Sequence, residues 1–235
     1  MPHTDVALII PFRDRGRDPL RKQNLDTVVK HWYDQGYSPQ VFDDGREGDE
    51  QFNRSAAYNR AVKFNPDAQV FIFAESDMLM RSTQAHRAVT RARLVPGLVV
   101  PFTEYHYIGE RESASIRAGR LPEYADALWI MRQGRAVGAV NVVSRYSLEQ
   151  VGQFDENFEG SWYDDRAMEI AFSVTCGPTQ FIEGVGFHLF HQPGWQGDHL
   201  TDEDKAATAR NAYRHQRYVQ AETPEDIRAL TMEAA

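Results

Sequence analysis

Three short polar clusters in this sequence carry residue types suited to a charged ligand, and each directly follows an apolar run. Arg13-Asp14-Arg15 comes after Val6–Ile10 and Pro11-Phe12, Asp43-Asp44-Gly45 after Gln40–Phe42, and Glu75-Ser76-Asp77 after Val70–Ala74. Guanidinium groups such as those of Arg13 and Arg15 suit paired phosphate oxygens. Alone, that cluster equally reads as a solvated loop, and Asp43-Asp44-Gly45 as a turn. The carboxylates of Glu75 and Asp77 leave a buried strand one residue apart. They can present oxygens to a hard divalent cation that takes its other ligands from substrate phosphates and water. An acidic turn closing the strand is the alternative reading.

Two later groups add to the list. His188-Leu189-Phe190-His191 closes the last apolar run. If the strand continues regularly, alternation puts His188 and His191 on opposite faces, and they would then not share one ion. His191, just before the turn-like Gln192-Pro193-Gly194-Trp195, is the better ligand candidate, with a hydrogen-bonded structural histidine as the alternative. Trp162-Tyr163-Asp164-Asp165 opens a helix, where acids are stabilising in any case through the macrodipole. Gly160 and the two aromatics ahead of them also suit a sugar-binding wall, Trp162 and Tyr163, beside a carboxylate base.

Alternating elements must position these groups. Asp5–Ile10 reads as a buried strand, and Asp18-Pro19 as an N-cap with Pro at the first helical position. Leu25, Val28, Val29 and Trp32 follow at helical spacing, with Gly36 as a stop. Gln40–Phe42 is a strand, Asn53–Val62 a helix, Val70–Ala74 a strand, Ser82 to about Leu94 a helix, and Gly97–Phe102 a strand. This β-α-β series predicts an α/β fold, a mostly parallel central sheet with helices on both faces. Ligands of such sheets bind beyond the carboxyl ends of the strands, where the first three clusters lie.

Thr103–Gly134 reads as a long aromatic loop with at least one helix, either an active-site lid or an ordered excursion. Ala136–Val143 reads as strand, Ser147–Val151 and Asp164–Cys176 as helices, and Gln180–Phe190 as one strand. Thr201 and Thr223-Pro224 start C-terminal helices. The expected division is one domain over 1–197 and a helical extension over 198–235 packed on it, as scaffold or oligomer contact.

Composition bounds the function. The 235 residues hold 26 Lys+Arg and 34 Asp+Glu, a net charge of −8, with 42% hydrophobic and 26% charged residues. That is a globular, not a disordered, composition. The acidic balance argues against coating nucleic acid. No apolar run approaches the roughly 18 residues of a membrane span, so no stable membrane insertion is expected. The start shows no signal-peptide pattern, and the single Cys176 excludes a disulfide framework or a multi-Cys metal site. A cytoplasmic setting is the expectation.

In this order the motifs resemble those of GT-A-fold glycosyltransferases, most nearly the β-1,4-galactosyltransferases and other inverting, family-2-like, nucleotide-sugar-dependent enzymes. Ile9-Ile10-Pro11-Phe12-Arg13-Asp14-Arg15 resembles the opening Ile-Pro-Phe-Arg-x-Arg motif, whose residues contact the nucleotide. Asp43-Asp44-Gly45 is similar to the segment that holds the base, and Phe52-Asn53-Arg54-Ser55-Ala56, followed by Asn59, to Phe-Asn-Arg-Ala. Glu75-Ser76-Asp77 stands in the place of the DxD metal motif. Gly138-Ala139-Val140-Asn141 and Phe154-Asp155-Glu156-Asn157-Phe158 resemble the stretches ahead of the catalytic Glu-Asp, matched here by Asp164-Asp165. His188 to His191 lies where a third metal ligand belongs. The likeness runs from about Val6 to His191. It departs from the family at Glu75 in place of Asp, at Trp162-Tyr163 in place of a glycine-rich turn, and at Ala167 in place of a third acid.

The resemblance implies a metal-dependent hexosyltransferase moving sugar from a nucleoside-diphosphate sugar, a UDP-sugar favoured, to an acceptor hydroxyl with inversion. Pro11, Phe12, Arg13, Arg15, Asp43, Asp44, Asn53, Arg54, Asn59, Glu75 and Ser76 would meet the donor. Asp77, with His191, Glu75 and His188 assisting, would hold Mn²⁺ or Mg²⁺. Asp165, or less favourably Asp164, would be the base, and Trp162, Tyr163, Gly138 and Asn141 would meet substrate. The acceptor is open among a glycan, a protein, a lipid and a modified nucleic acid, and so is a homodimer. Two alternatives stand. A nucleotide-sugar-binding protein with little catalysis would not need Asp165. A nucleotidyltransferase normally carries a Gly-rich phosphate loop, whereas Gly16 is alone in Pro11–Arg17. A metal hydrolase built on His188 and His191 has no supporting His-Glu helix motif.

Overall fold

The computed structural model describes residues 5–132, 136–194 and 196–234. The chain begins β1 (Val6–Pro11), α1 (Pro19–Asp34), β2 (Pro39–Phe42), α2 (Arg54–Phe64), β3 (Val70–Ala74) and β4 (Met78–Leu79). It continues α3 (Ser82–Leu94), β5 (Val99–Val100), β6 (Glu104–Ile108), α4 (Glu110–Arg117), β7 (Ala127–Arg132) and β8 (Val140–Ser144). Last come α5 (Arg145–Val151), α6 (Asp164–Cys176), β9 (Gln180–Phe181), β10 (Val185–His188), α7 (Asp202–Val219) and α8 (Pro224–Thr231).

Six strands form the central sheet in the order β2-β1-β3-β8-β5-β9. The pairs β1–β2, β1–β3 and β5–β9 are parallel, and β8 alone runs against its two neighbours. The unbroken apolar runs of β1 and β3 follow from burial on both faces. Leu8, Ile10, Val70 and Ile72 face Leu25, Val28 and Trp32 of α1 and Ala85, Ala88 and Val89 of α3. Ala7, Ile9, Phe71 and Phe73 face Tyr58 of α2, Leu148 of α5, and Ala171 and Phe172 of α6. The cap at α1 forms as its sequence predicts: Asp18 accepts from the Leu20 N–H, with Pro19 first in the helix.

A second, four-stranded sheet has the order β4-β10-β6-β7, and its existence corrects two expectations. Thr103–Gly134 is not a long loop. Through Arg132 it folds as β6, α4, a short 3₁₀ turn at Pro122–Tyr124 and β7, while Gly134 lies outside the described residues. Gln180–Phe190 is not one strand either. β9 completes the central sheet, and after Gly184, at φ +155°, β10 joins the second. That split decides where the histidines go.

The C-terminal helices lie over α5 and α6. Tyr218 of α7 and Ile227 and Leu230 of α8 are buried in the same core as Phe172. Both helices open with a capping box, Thr201 with Asp204 and Thr223 with Asp226, so four otherwise orphaned backbone N–H groups find partners. Among the described residues no helix is long and apolar enough to cross a membrane.

Candidate active site

β1, β2 and β3 are parallel, so the segments after them emerge at one edge of the sheet. Beyond β3 the backbone turns at Glu75 and Ser76 into β4, whose Met78 pairs with His188 at the end of β10. The Leu189 N–H donates to the Asp77 carbonyl (2.9 Å), and the chain then bends away from strand geometry. Phe190 N–H donates to Ser113 Oγ (2.8 Å) and Gln192 N–H to Asp18 Oδ2 (2.8 Å), which holds His191 back over Asp77. The condition for separating the two histidines, a strand that continues regularly, is therefore not met. Alternation applies only while the strand continues, and it stops at His188.

Asp77, His188 and His191 offer one ligand atom each within 4.8 Å of one another. His191 Nε2 lies 3.0 Å from Asp77 Oδ2 and 3.2 Å from His188 Nε2, which lies 3.7 Å from Asp77 Oδ1. His191 Nδ1 meets the Gln192 carbonyl at 2.7 Å. A carbonyl only accepts, so Nδ1 donates there, and Nε2 is the atom that faces Asp77 and His188. Burial works to raise the Asp77 carboxyl, but the neighbouring imidazoles hold it well below the ordinary carboxylate range. Burial pushes His188 down to about 4, so it is neutral at physiological pH. Asp77 Oδ1 is buried without a hydrogen-bond partner. An anionic carboxylate and two imidazole nitrogens that converge, one carboxylate oxygen unsatisfied, are a donor set that fits a divalent cation.

Beside this trio lies a second charged group. Arg54, the first residue of α2, donates to Glu75, Asp164 and Asp165, the Asp164 contact being 2.5 Å. One guanidinium thus faces three carboxylates. Burial pushes the Glu75 carboxyl up to about 8 against the pull of Arg54, and raises Asp164 as well. Asp165 is the more open of the α6 acids, with 37% of its side chain exposed against 16% for Asp164. Gly138 lies directly against the Asp165 carboxylate, where any Cβ would collide with it. Glu75, expected to assist at the metal, pairs with Arg54 and is not among the three converging ligand atoms.

Trp162 and Tyr163 both take positive φ, 80° and 73°, entering α6. Two consecutive bulky residues in that region cost of order 1–3 kcal/mol each, so their surroundings must impose it. The Asn211 amide on α7 donates to the carbonyls of Glu159 (2.8 Å), Ser161 (3.3 Å) and Trp162 (3.1 Å) and braces the turn. The left-handed geometry is kept without glycine. Trp162 remains 49% exposed beside the acids.

The remaining expected donor contacts divide. Arg13 Nε donates to Asp44 Oδ1 (2.8 Å), and its other nitrogens to the carbonyls of Gly48 (2.6 Å) and Glu50 (2.8 Å). Asp44 Oδ2 accepts from the Asn53 N–H (2.8 Å). Burial would raise Asp44, but Arg13 and these backbone donors outweigh it and keep it low. Arg13 and Asp44 are therefore spent on each other, and Asp43 is the exposed member of its pair. Arg15 donates to the Asp49 carbonyl (2.8 Å). Asn53 caps α2 and donates to the Glu156 carbonyl (2.7 Å), while Asn59 bonds Phe154 and Glu156, so neither amide reaches the metal-type cluster. Pro11 closes β1, Phe12 is half-buried, Ser76 is buried, and Asn141 sits in β8 with its Oδ1 unpartnered.

Three contributors were not legible in the sequence. Arg21, on the first turn of α1, acts on the charges of Asp77 and His188 and approaches the Gln192 carbonyl at 3.4 Å. Its signal is positional, because a helix after a parallel strand begins at the ligand edge. Tyr107 lies tilted against His188, with ring centroids 5.0 Å and planes 51° apart. Asp204 of α7 binds Arg17 (2.7 and 2.9 Å) and Gln51 (2.8 Å), tying the C-terminal helix to both loops beside β1 and β2.

No family model matches the sequence, and no curated protein does. Among solved structures the chain is similar to a mutant Drosophila β-1,4-galactosyltransferase 7 in complex with manganese, UDP-Gal and xylobiose. The TM-score is 0.55 at 15% identity, over 86% of this chain and 78% of that one. It is also similar to GalNAc-T7 with UDP, GalNAc and Mn²⁺, at TM-score 0.51 and 11% identity. That match takes in 92% of this chain but 47% of the other, so the chain spans about half that protein's length. The fold is that of the GT-A glycosyltransferases. The mixed sheet and its flanking helices, read first from alternating runs, are the common ground with both structures.

Proposed function

We propose that this GT-A chain is a metal-dependent glycosyltransferase that moves a sugar from a nucleoside-diphosphate sugar to an acceptor hydroxyl, with inversion. The observation that carries the reading is the convergence of Asp77, His188 and His191, with Asp77 Oδ1 unsatisfied, beside the Arg54–Asp164–Asp165 cluster. Both similar structures hold manganese and a uridine nucleotide, which supports a UDP-sugar as donor. Asp77, His188 and His191 would hold the ion. Their nitrogen content favours Mn²⁺ over Mg²⁺, which prefers an all-oxygen shell. When bound, the ion supplies Lewis-acid stabilisation of charge on the diphosphate leaving group.

The chain's own residues do the rest. Arg21 and Arg15 place positive charge at the edge where a diphosphate would lie, and Arg13 with Asp44 keeps the base-side loop in shape. Asp165 Oδ takes the proton of the acceptor hydroxyl as that oxygen attacks the anomeric carbon from the face opposite the leaving diphosphate, hence inversion. Arg54 aims the two α6 carboxylates. Trp162 offers an exposed aromatic face to a sugar ring. The single Cys176, half-buried, supports a reducing, cytoplasmic setting.

Asp165→Asn is the test. Titration with UDP and Mn²⁺ is expected to match wild type while transfer falls about 10²–10⁴-fold, the usual contribution of a general base. Unchanged turnover would remove Asp165 from the mechanism. Donor binding with no transfer or hydrolysis by the wild-type chain, over a panel of acceptors, would favour the binding-protein reading.

A further inference from the structure

A small cavity lies behind the Arg54–Asp164 pair, between α2, β8 and α6. It measures about 30 Å³, room for one or two water molecules. Its lining is mixed. Arg54 and Tyr58 of α2, Asn141 of β8 and Asp164 of α6 give it polar groups, while Leu148, Val151 and Phe172 are apolar. Asp155 and Thr231 also line it, but both are satisfied within the protein. Asp155 Oδ2 accepts from Arg214 Nε (2.7 Å) and Tyr218 Oη (2.8 Å), and Thr231 Oγ1 donates to the Val151 carbonyl (2.9 Å).

Two other lining atoms are not satisfied. Tyr58 Oη and Asn141 Oδ1 are buried without a hydrogen-bond partner, in residues only 3% and 1% exposed. Native proteins rarely leave such groups unmet, and ordered water is the usual partner where there is room for it. The placement of the two fits a shared water. Tyr58 is one turn along α2 from Arg54, and helical side chains lean toward the N-terminus, which carries its hydroxyl back toward Arg54 and Asp164. Asn141 stands beside the first turns of α6: its Nδ2 lies 3.9 Å from Met168 Sδ, four residues after Asp164.

We propose that a buried water in this cavity accepts from the Tyr58 hydroxyl and donates to Asn141 Oδ1 and Asp164, so that Tyr58 and Asn141 are positioning residues for the α6 acids. Three hydrogen bonds are the usual number for a buried water. From the water the contacts run through Asp164 to Arg54, which also holds Asp165. Asn141, expected among the substrate contacts, has an internal task instead. The positioning role rests on the proposed sugar transfer, whereas the water does not.

A crystal structure that resolves bound water tests the first half. Density bonded to Tyr58 Oη and Asn141 Oδ1 is expected, and a dry cavity overturns the proposal. In solution, Tyr58→Phe removes the hydroxyl alone. Its melting temperature is expected to fall about 2–4 °C, because the water loses a donor. An unchanged or raised melting temperature would mean that the hydroxyl had no partner, and overturns the water. Turnover on the best of a panel of UDP-sugars with Mn²⁺ tests the second half. Tyr58→Phe and Asn141→Leu are each expected to lower kcat about tenfold, short of the 10²-fold that about 1 Å of misplacement can cost. KM and the affinity for UDP and Mn²⁺ are expected to stay the same. Both residues act through one water, so the double variant is expected to lose about tenfold rather than about a hundredfold. An unchanged kcat in both variants, or losses that multiply, overturns the positioning role. If the wild type transfers no sugar, the proposed function fails, and density and melting temperature still decide the water.

Discussion

Asp44 and Asp77 are both buried carboxylates, each just past one of the two strands that flank β1. Asp44 is complete within the protein. Both its oxygens bond Arg13, one also takes the Asn53 N–H, and the other the Arg46 N–H at 3.4 Å. Asp77 has one oxygen against His191 and one with no hydrogen-bond partner, and the Nε2 atoms of two imidazoles lie within 4 Å of it. Burial and residue type are shared, so neither marks a ligand. What differs is whether the protein itself meets the charge. A native structure that leaves a buried carboxylate oxygen unmet holds a place for something else.

The contrast can be broken in four places. Asp77→Asn has the largest expected effect: loss of the Mn²⁺-induced thermal shift and a fall in transfer of about 10³-fold, some 4 kcal/mol of transition-state stabilisation. Without metal the drop in its melting temperature is expected to be smaller than that caused by losing Asp44, because one Asp77 oxygen has no hydrogen-bond partner to lose. An equal drop would mean that Asp77 is as fully satisfied as Asp44. Asp44→Ala is the opposite case. It strands the buried guanidinium of Arg13 and is expected to cost about 3–5 kcal/mol. For a chain of this size that is a melting shift of about 10 °C, and Mn²⁺ binding should survive it.

Gly138→Ala sharpens the comparison from the base side. The added methyl group displaces the Asp165 carboxylate, so turnover is expected to fall by up to about 10²-fold with Mn²⁺ affinity retained. Equal activity would mean that the acid's position there is immaterial. Asp204→Asn, at the satisfied end, has the smallest effect, about 1–2 kcal/mol near neutral pH. Burial works to raise Asp204, yet bonds from Gln51, Thr201 and Arg17 hold it well below the usual range. A depressed folded pKa gives stability that is fully present above the unfolded value of about 3.9 and lost as pH falls. The gap between wild type and variant should therefore close in acid. A gap independent of pH would show that the Asp204 charge contributes nothing.

The central sheet was legible because its signal is local. Val6–Ile10 and Val70–Ala74 are apolar on both faces, and Asp18-Pro19 marks a helix start by its own chemistry. The second sheet was not. Glu104-Tyr105-His106-Tyr107-Ile108 mixes charge with aromatics, and it becomes a strand by pairing with β10, some eighty residues away, as well as with β7. The approach of the two histidines to one another was not legible for a related reason. Their spacing predicts opposite faces if the strand continues, and the contacts that end the strand at His188 come from Asp77, Ser113 and Asp18, all distant in sequence.

By itself, then, the sequence determined the alternating elements, the edge at which polar clusters gather, and the residue types available there. Apolar periodicity and capping act over a few residues and can be read directly. The tertiary structure decided which acids are spent and which are left over. It gave Arg13 to Asp44 and Arg54 to Glu75, Asp164 and Asp165, and set Asp77 between two imidazoles with an oxygen to spare. A carboxylate's role follows from what reaches it through space, and the partners that decide it are supplied by distant segments of the chain.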